Sequence, residues 1–315
     1  MNEQKSPLGV IAMPETSMLV TNEILVRQGV GRYGVAAELL DMAVTGKLRI
    51  YSPAGAIAIG KIPDVALEYV ATDPPQADKN QMSLLQIVFD KTPEAGDSIT
   101  FEELSERKDF VPRIDELQTN IRKSLSMGSG SERYYGMDPV RFNKLRTPAR
   151  WIGGLAFLAL YLASNKAADF EMPFAQIGGW VGGLLVTAAA YFGVFGELDE
   201  KLGMQSRARD IALPKLQSIN EDVSARLSKT LIAPASPTEK NIYANNAAVR
   251  LSYQRALALT IPLGWHDEWL HHFCKVSNER PAWFVTAKEG QDLELFRADM
   301  HHFIDRFEAV CYPTS

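Results

Sequence analysis

Residues 172–196 read MPFAQIGGWVGGLLVTAAAYFGVFG, a run of 25 residues without a charged side chain. As an α-helix this run would extend about 37 Å, which exceeds the roughly 30 Å of a bilayer's hydrocarbon core. The pairs Gly178–Gly182 and Gly179–Gly183 have the spacing of small residues that lets two membrane helices pack closely. The run therefore predicts a transmembrane helix.

A shorter apolar run lies just before it, over residues 151–165. The flanking Arg150 and Lys166 can turn their charged ends toward the membrane interface and so extend the usable length of this run. The two runs together predict a transmembrane helical hairpin over 148–198. The alternative is a buried helical hairpin in a soluble protein, because apolar runs of about 10–14 residues are also typical of soluble cores.

The basic residues around the hairpin predict its orientation. They stand on both of its flanks, at Arg141, Lys144, Arg146, Arg150, Lys201, Arg207, Arg209 and Lys215. The connecting loop holds a single basic residue, Lys166. Because Lys and Arg concentrate on the cytoplasmic side of membrane proteins, both termini are predicted to be cytoplasmic. The expected location is the bacterial inner membrane as a multi-pass protein, with the lipid bilayer as a partner and the Gly-rich helix as a possible homo-oligomer contact.

The chain as a whole has the composition of a soluble globular protein. Of its 315 residues, 46% are hydrophobic and 23% are charged, which excludes a disordered or collagen-like chain. The net charge of −5 leaves no excess of positive charge for binding nucleic acid. With only Cys274 and Cys311 the chain cannot build a disulfide framework, and residues 1–7 lack the apolar core of a signal peptide.

Residues 1–147 have the element order of a winged helix. The predicted elements are helices over about 21–28 and 35–44 and strands over 47–51 and 67–71, followed in a looser second unit by helices over about 79–90 and 112–126. Gly46 is expected to end the second helix, as glycine often does. We therefore predict two winged-helix-like units, at about 18–75 and 78–140, in a cytoplasmic region that is mainly α with small β wings.

Winged helices often bind DNA, so the charge of this region matters. Residues 1–147 carry 17 Lys and Arg against 20 Asp and Glu. The candidate recognition helix carries two acidic residues, Glu38 and Asp41, and one basic residue, Arg32. Such a helix would repel a phosphate backbone. The other candidate helix has mixed charges, at Arg113, Asp115, Glu116, Arg122 and Lys123. Protein docking or a structural role is therefore favoured over nucleic-acid binding.

Residues 199–315 are predicted to form a cytoplasmic helical domain. The predicted helices cover about 205–229, 238–258 and 291–310, with a shorter helix that contains Trp265, Trp269, Leu270 and Phe273. Residues 233–238 form a Pro-containing linker between the first two helices, and a turn is expected at 281–283.

All five histidines lie in this region, at His266, His271, His272, His301 and His302. His271 and Cys274 are spaced to share a helix face, and with His301 or His302 they could hold a zinc ion. The alternative is that these are surface or half-buried side chains of amphipathic helices, because no CxxC or HExxH pattern is present. Since no hydrolase elbow, P-loop or dinucleotide fingerprint is present either, we assign no catalytic, cofactor-binding or metal-binding residue.

Three patches carry a resemblance to a known family. They are residues 36–50 (AAELLDMAVTGKLRI), the paired apolar runs, and residues 253–259 (YQRALAL) together with Trp269 and residues 281–283 (PAW). In these patches the chain resembles the C-terminal part of a bacterial family of predicted membrane proteins, domain of unknown function 2207. Members usually begin with a signal sequence, an exported β-rich domain and a further membrane helix, so the resemblance implies a truncated or split relative. It implies a membrane topology and no established activity.

The sequence as a whole predicts a non-enzymatic inner-membrane protein that acts as a scaffold or regulatory adapter for protein partners. The first alternative is a membrane-tethered winged-helix regulator that contacts nucleic acid. The second is a soluble enzyme or binding protein with a buried apolar hairpin and a metal site. These three hypotheses differ in what they require of the hairpin, of the recognition helix and of the histidines.

Overall fold

The structure is a computed structural model, and it describes residues 9–14, 16–26, 32–71, 78–127, 207–232, 235–286 and 293–311. Within these ranges the chain is mostly helical, with a small mixed sheet of four strands. In chain order the elements are α1 (Met18–Val26), α2 (Arg32–Val44), β1 (Leu48–Tyr51), α3 (Pro53–Ala58), β2 (Ala66–Tyr69), α4 (Lys79–Phe89), β3 (Ser98–Thr100), α5 (Phe101–Glu106), α6 (Phe110–Met127), α7 (Arg207–Ile232), α8 (Pro237–Asn245), α9 (Ala247–Leu263), α10 (His266–Val276), β4 (Phe284–Val285) and α11 (Leu293–Cys311).

The prediction of a membrane protein is corrected by this structure. Among the described residues, no helix combines the length and the apolar character needed to cross a bilayer. The physical reason is charge: α7, for example, carries Lys215, Glu221 and Arg226 along its length, and such side chains are costly in hydrocarbon. The predicted hairpin over 148–198 lies outside the described residues. The transmembrane hairpin and the multi-pass inner-membrane location are therefore withdrawn.

The chain divides into two compact units. The first consists of Met1–Ile121 with Leu213–Ser315, and the second of Arg122–Ala212. In the second unit the structure describes residues 122–127 and 207–212, which are the ends of α6 and α7. The regions before and after the apolar runs, which the sequence presents as separate domains, thus contribute elements to one unit. Helical periodicity shows which face of a helix is buried, whereas the partner of that face depends on tertiary packing.

The sheet of the first unit has the strand order β3-β2-β1-β4. β1 pairs antiparallel with β2, and β2 pairs antiparallel with β3. β4 pairs parallel with β1, so that Ile50 lies beside Phe284 and Tyr51 beside Val285. The strands predicted over 47–51 and 67–71 are confirmed as β1 and β2. β3 joins this same sheet, and the short β4, which follows the turn predicted at 281–283, brings the C-terminal region to its edge.

Helix α2 lies at the centre of the packing in the first unit. It packs against α1, α9, α11 and β1. Tyr33 is exposed, but every described side chain of α2 after Tyr33 is buried, including Glu38 and Asp41. DNA recognition requires a helix surface that can enter a groove. The candidate recognition helix has no such surface among its described side chains while this unit is folded.

Two ion pairs with buried carboxylates join the N-terminal and C-terminal parts of this unit. Asp41 of α2 accepts hydrogen bonds from Arg255 of α9, at 2.7 Å from Nε and 3.2 Å from Nη2. Asp64, just before β2, accepts from Arg306 of α11 at 3.0 and 3.1 Å. Only 4% of the Asp41 side chain and 8% of the Asp64 side chain are exposed. Each carboxylate therefore depends on its arginine for neutralisation.

Helix α3 lies between the two predicted strands, and it begins with a Ser52 cap and Pro53 at its first position. It brings Gly55 against the backbone of β4. A Cβ atom at Gly55 would lie 2.5 Å from the carbonyl oxygen of Val285, which is closer than real Cβ contacts allow. The close approach of α3 to β4 therefore requires glycine.

Replacing Gly55 with alanine is expected to lower the free energy of unfolding by about 1–3 kcal/mol, because the clash is with backbone that cannot rotate away. Chemical denaturation of the full-length protein measures this change. The control is Gly9→Ala, where the nearest atom to the added Cβ is 3.9 Å away, at the end of the Arg226 side chain. Equal stability of the two variants would contradict the close contact between α3 and β4.

Candidate metal centre

Helices α10 and α11 pack against each other through buried aromatic side chains. Phe273 of α10 contacts Phe296 of α11, with 5.8 Å between the ring centroids. α10 begins soon after Gly264, which ends α9 in a left-handed conformation with φ of 72°. This turn and the aromatic contacts fix the first turn of α10 beside the middle of α11.

Three side chains with metal-binding atoms meet at this place. They are His266 and Asp267 of α10 and His301 of α11, and their ligand atoms all lie within 4.8 Å of one another. Nδ1 of His301 lies 2.9 Å from Oδ1 of Asp267, and Nε2 of His266 lies 3.4 Å from the same oxygen. Ligands about 2.0–2.2 Å from a tetrahedral zinc ion are separated by about 3.3–3.6 Å. The separation of 3.4 Å lies in that range, whereas the separation of 2.9 Å is shorter and is the length of a hydrogen bond between the two side chains.

The cluster is partly open to solvent. The exposed fraction of the side chain is 22% for His266, 31% for His301 and 60% for Asp267. Nδ1 of His266 is nevertheless buried, and no described residue offers it a hydrogen-bond partner. A buried polar atom without a partner calls for an explanation such as a water molecule, an ion or a functional role. A histidine that binds a metal through one ring nitrogen usually donates the other nitrogen to a hydrogen-bond partner, so this atom is not an argument for a ligand role.

The zinc-ligand set considered from the sequence is not the one that the structure brings together. Within the described residues, His301 joins the cluster, but His271, Cys274 and His302 do not. Sγ of Cys274 donates to the carbonyl oxygen of Leu293 at 3.4 Å, and burial raises the pKa of this thiol to about 11. Zinc binds the thiolate, so Cys274 is a poor ligand in this environment.

His272 is a core residue. Its ring lies 5.0 Å from the Trp269 ring and 5.7 Å from the Tyr253 ring, measured between centroids. Burial lowers the pKa of His272 to about 4, with smaller contributions from nearby positive charges. It is therefore neutral at physiological pH and packs as an aromatic side chain.

The basic side chain of Arg113, considered for phosphate binding, is engaged within the protein. Its Nη1 donates to Oδ1 of Asp90 at 2.5 Å and to Oδ2 of Asp109 at 3.2 Å. These acidic partners neutralise its charge locally.

No family model matches the chain, and no curated protein or solved structure is significantly similar to it. The resemblance to domain of unknown function 2207 therefore stays a prediction. Two imidazole nitrogens and one carboxylate oxygen form a donor set that suits Zn²⁺ and the neighbouring divalent transition metals. Three protein ligands leave at least one coordination position for water or another donor.

Proposed function

We propose that the chain is a non-enzymatic scaffold or regulatory adapter that binds a divalent transition-metal ion through His266, Asp267 and His301. The observation that carries the proposal is the convergence of three ligand atoms, from two helices, within 4.8 Å of one another. An ion bound there ties the first turn of α10 to α11. Because the ion binds the folded arrangement in preference to the unfolded chain, it stabilises this packing.

The position of the cluster supports a regulatory role. β4 lies in the connection between α10 and α11, and it pairs with β1 at the edge of the sheet. An ion bound to both α10 and α11 would hold the two ends of this connection together. Occupancy of the cluster thus influences how firmly β4 is held against β1.

The open coordination position supports an adapter role. Asp267 is more exposed than either histidine, so a bound ion is reachable from the solvent. A donor atom of a protein partner can then complete the coordination shell. If the zinc-loaded protein instead hydrolysed simple esters or phosphoesters through a metal-bound water, the non-enzymatic part of the proposal would be wrong.

Titration of the metal-free, full-length protein with zinc chloride in a calorimeter tests the proposal. The wild-type chain is expected to bind one ion at this cluster. His301→Ala is expected to weaken binding by more than about a hundredfold, since loss of a second-shell partner alone costs about 10–100-fold.

The matched control for this titration is His302→Ala. His302 is the neighbouring residue on the same helix, it is exposed, and it lies outside the cluster. This variant is expected to bind zinc like the wild type. Unchanged zinc affinity in His301→Ala, or equal losses in the two variants, would overturn the assignment of the ligands.

A further inference from the structure

Glu38 of α2 is a fully buried carboxylate at the junction of three helices. The residue is 0% exposed. Its Oε2 accepts a hydrogen bond from the backbone nitrogen of Leu19 in α1 at 2.8 Å. Its Oε1 accepts one from Nε2 of Gln81 in α4 at 2.5 Å. One side chain therefore connects α1, α2 and α4.

Both groups that bond directly to Glu38 are neutral. The ammonium group of Lys47 donates a hydrogen bond to Oε1 of Gln81. The nearest cation in this hydrogen-bond network is therefore connected to Glu38 only through Gln81. The other carboxylate of α2, Asp41, is paired with an arginine of α9. Charged groups on the elements around Glu38 include Glu23 on α1, Asp41 on α2, Lys47 before β1, Asp78 and Lys79 at the start of α4, Arg255 on α9 and Glu308 on α11. Of these, Asp41 and Asp78 are the groups whose charges act on Glu38.

This environment favours the neutral form of Glu38. Burial is the main cause, repulsion from Asp41 and Asp78 adds to it, and the bonds from Leu19 and Gln81 oppose it; together they raise the pKa of Glu38 to about 7. In an opened junction the side chain is hydrated and regains its ordinary pKa of 4.5. The closed junction therefore binds the proton more tightly than the open one. Its stability is greatest below the ordinary pKa and is lost as the pH rises through the folded value.

We propose that Glu38 is a pH-sensitive latch that controls how firmly α1 is attached to α2 and α4. Uptake of a proton by Glu38 secures the junction. Loss of that proton leaves a buried charge with neutral donors, and the closed junction then loses stability relative to an open one in which water reaches the carboxylate. The latch is separate from the group of His266, Asp267 and His301, and it does not depend on the proposed function.

Hydrogen exchange of the full-length protein at pH 5, 6, 7 and 8, corrected for the intrinsic effect of pH, tests the latch. Protection of the α1 amides, at residues 19–26, is expected to fall about tenfold per pH unit between pH 5 and pH 7 and to level off above. Amides in the centre of α9 provide the internal reference. A pH-independent protection of α1 in the wild-type protein would overturn the proposal without the need of any variant.

Glu38→Gln keeps the shape of the side chain and removes its titration. In this variant the protection of α1 is expected to stay constant across the pH series. The matched control is Glu106→Gln, an exposed carboxylate at the end of α5, which is expected to show the wild-type dependence. The same fall of α1 protection in Glu38→Gln as in the wild type would assign the pH dependence to another group and overturn the latch.

Discussion

Replacing Arg255 with alanine is expected to lower the free energy of unfolding by about 3–5 kcal/mol. The substitution leaves Asp41 without its counter-charge, while only 4% of the aspartate side chain is exposed. A buried carboxylate without a partner still carries the free-energy cost of its removal from water, but it no longer gains the attraction of the arginine. The effect is large because α2 and α9 bury this carboxylate between the two parts of the first unit.

Urea denaturation of the full-length protein measures this loss. The control is Arg49→Ala, because Arg49 lies 3.8 Å from Glu68 and its side chain is 51% exposed. That variant is expected to lose at most about 1 kcal/mol, as is typical of surface ion pairs. A loss below about 1 kcal/mol for Arg255→Ala would contradict the buried pairing of α2 with α9.

Replacing Trp269 with alanine is expected to lower the free energy of unfolding by about 3–5 kcal/mol. The indole is 0% exposed, so its removal leaves a cavity in the core. It also removes the hydrogen bond from Nε1 to the carbonyl oxygen of Tyr253, which has a length of 3.1 Å. The same helix carries His266 and Asp267, and we therefore expect weaker zinc binding although no ligand is removed.

The control for Trp269 is Leu251→Ala on α9, where 45% of the residue is exposed. Its unfolding free energy is expected to change by about 0.5 kcal/mol or less, and its zinc affinity not at all. Chemical denaturation and zinc titration of both variants check these expectations. A Trp269 variant as stable as the leucine variant would contradict the assignment of Trp269 to the core.

Local features of this fold could be predicted from the sequence where a residue type has a well-known structural role, such as glycine at the end of a helix. Gly46 ends α2 with φ of 78°, as its place after the apolar pattern predicts. Asn246 was missed: it caps α9 by accepting from the backbone of Ala248 and Val249, and it splits a stretch that the apolar pattern presents as one helix. The Asn245-Asn246 pair was the available signal, because Asn favours helix N-caps.

The meeting of His266, Asp267 and His301 could not be predicted, because these residues come from two different helices. His266 and Asp267 begin one helix, and His301 lies in the middle of another. His271 was singled out with Cys274 for its spacing, yet it lies five residues after His266, which is about 140° around the helix. Which of these faces meets α11 is decided by the packing of Phe273 on Phe296, and no local pattern contains that information.

The membrane prediction was the largest error, and it arose from apolar length. It depended on residues 151–196, which lie outside the described residues. The described helices show the opposite pattern, with charged side chains placed along long helices such as α7. The residues before and after the apolar runs were likewise assigned to separate domains. β1 comes before these runs in the sequence and β4 after them, yet the two strands pair in one sheet.

The visible absorption spectrum of the cobalt-loaded, full-length protein tests the central claim most directly, because Co²⁺ replaces Zn²⁺ and reports its ligands. Ligation by His266, Asp267 and His301 predicts the bands of a nitrogen- and oxygen-bound ion, present in Cys274→Ser and lost in His301→Ala. A sulfur-to-metal charge-transfer band that disappears in Cys274→Ser would place the ion at Cys274. A spectrum identical to that of cobalt in buffer would contradict the metal centre altogether.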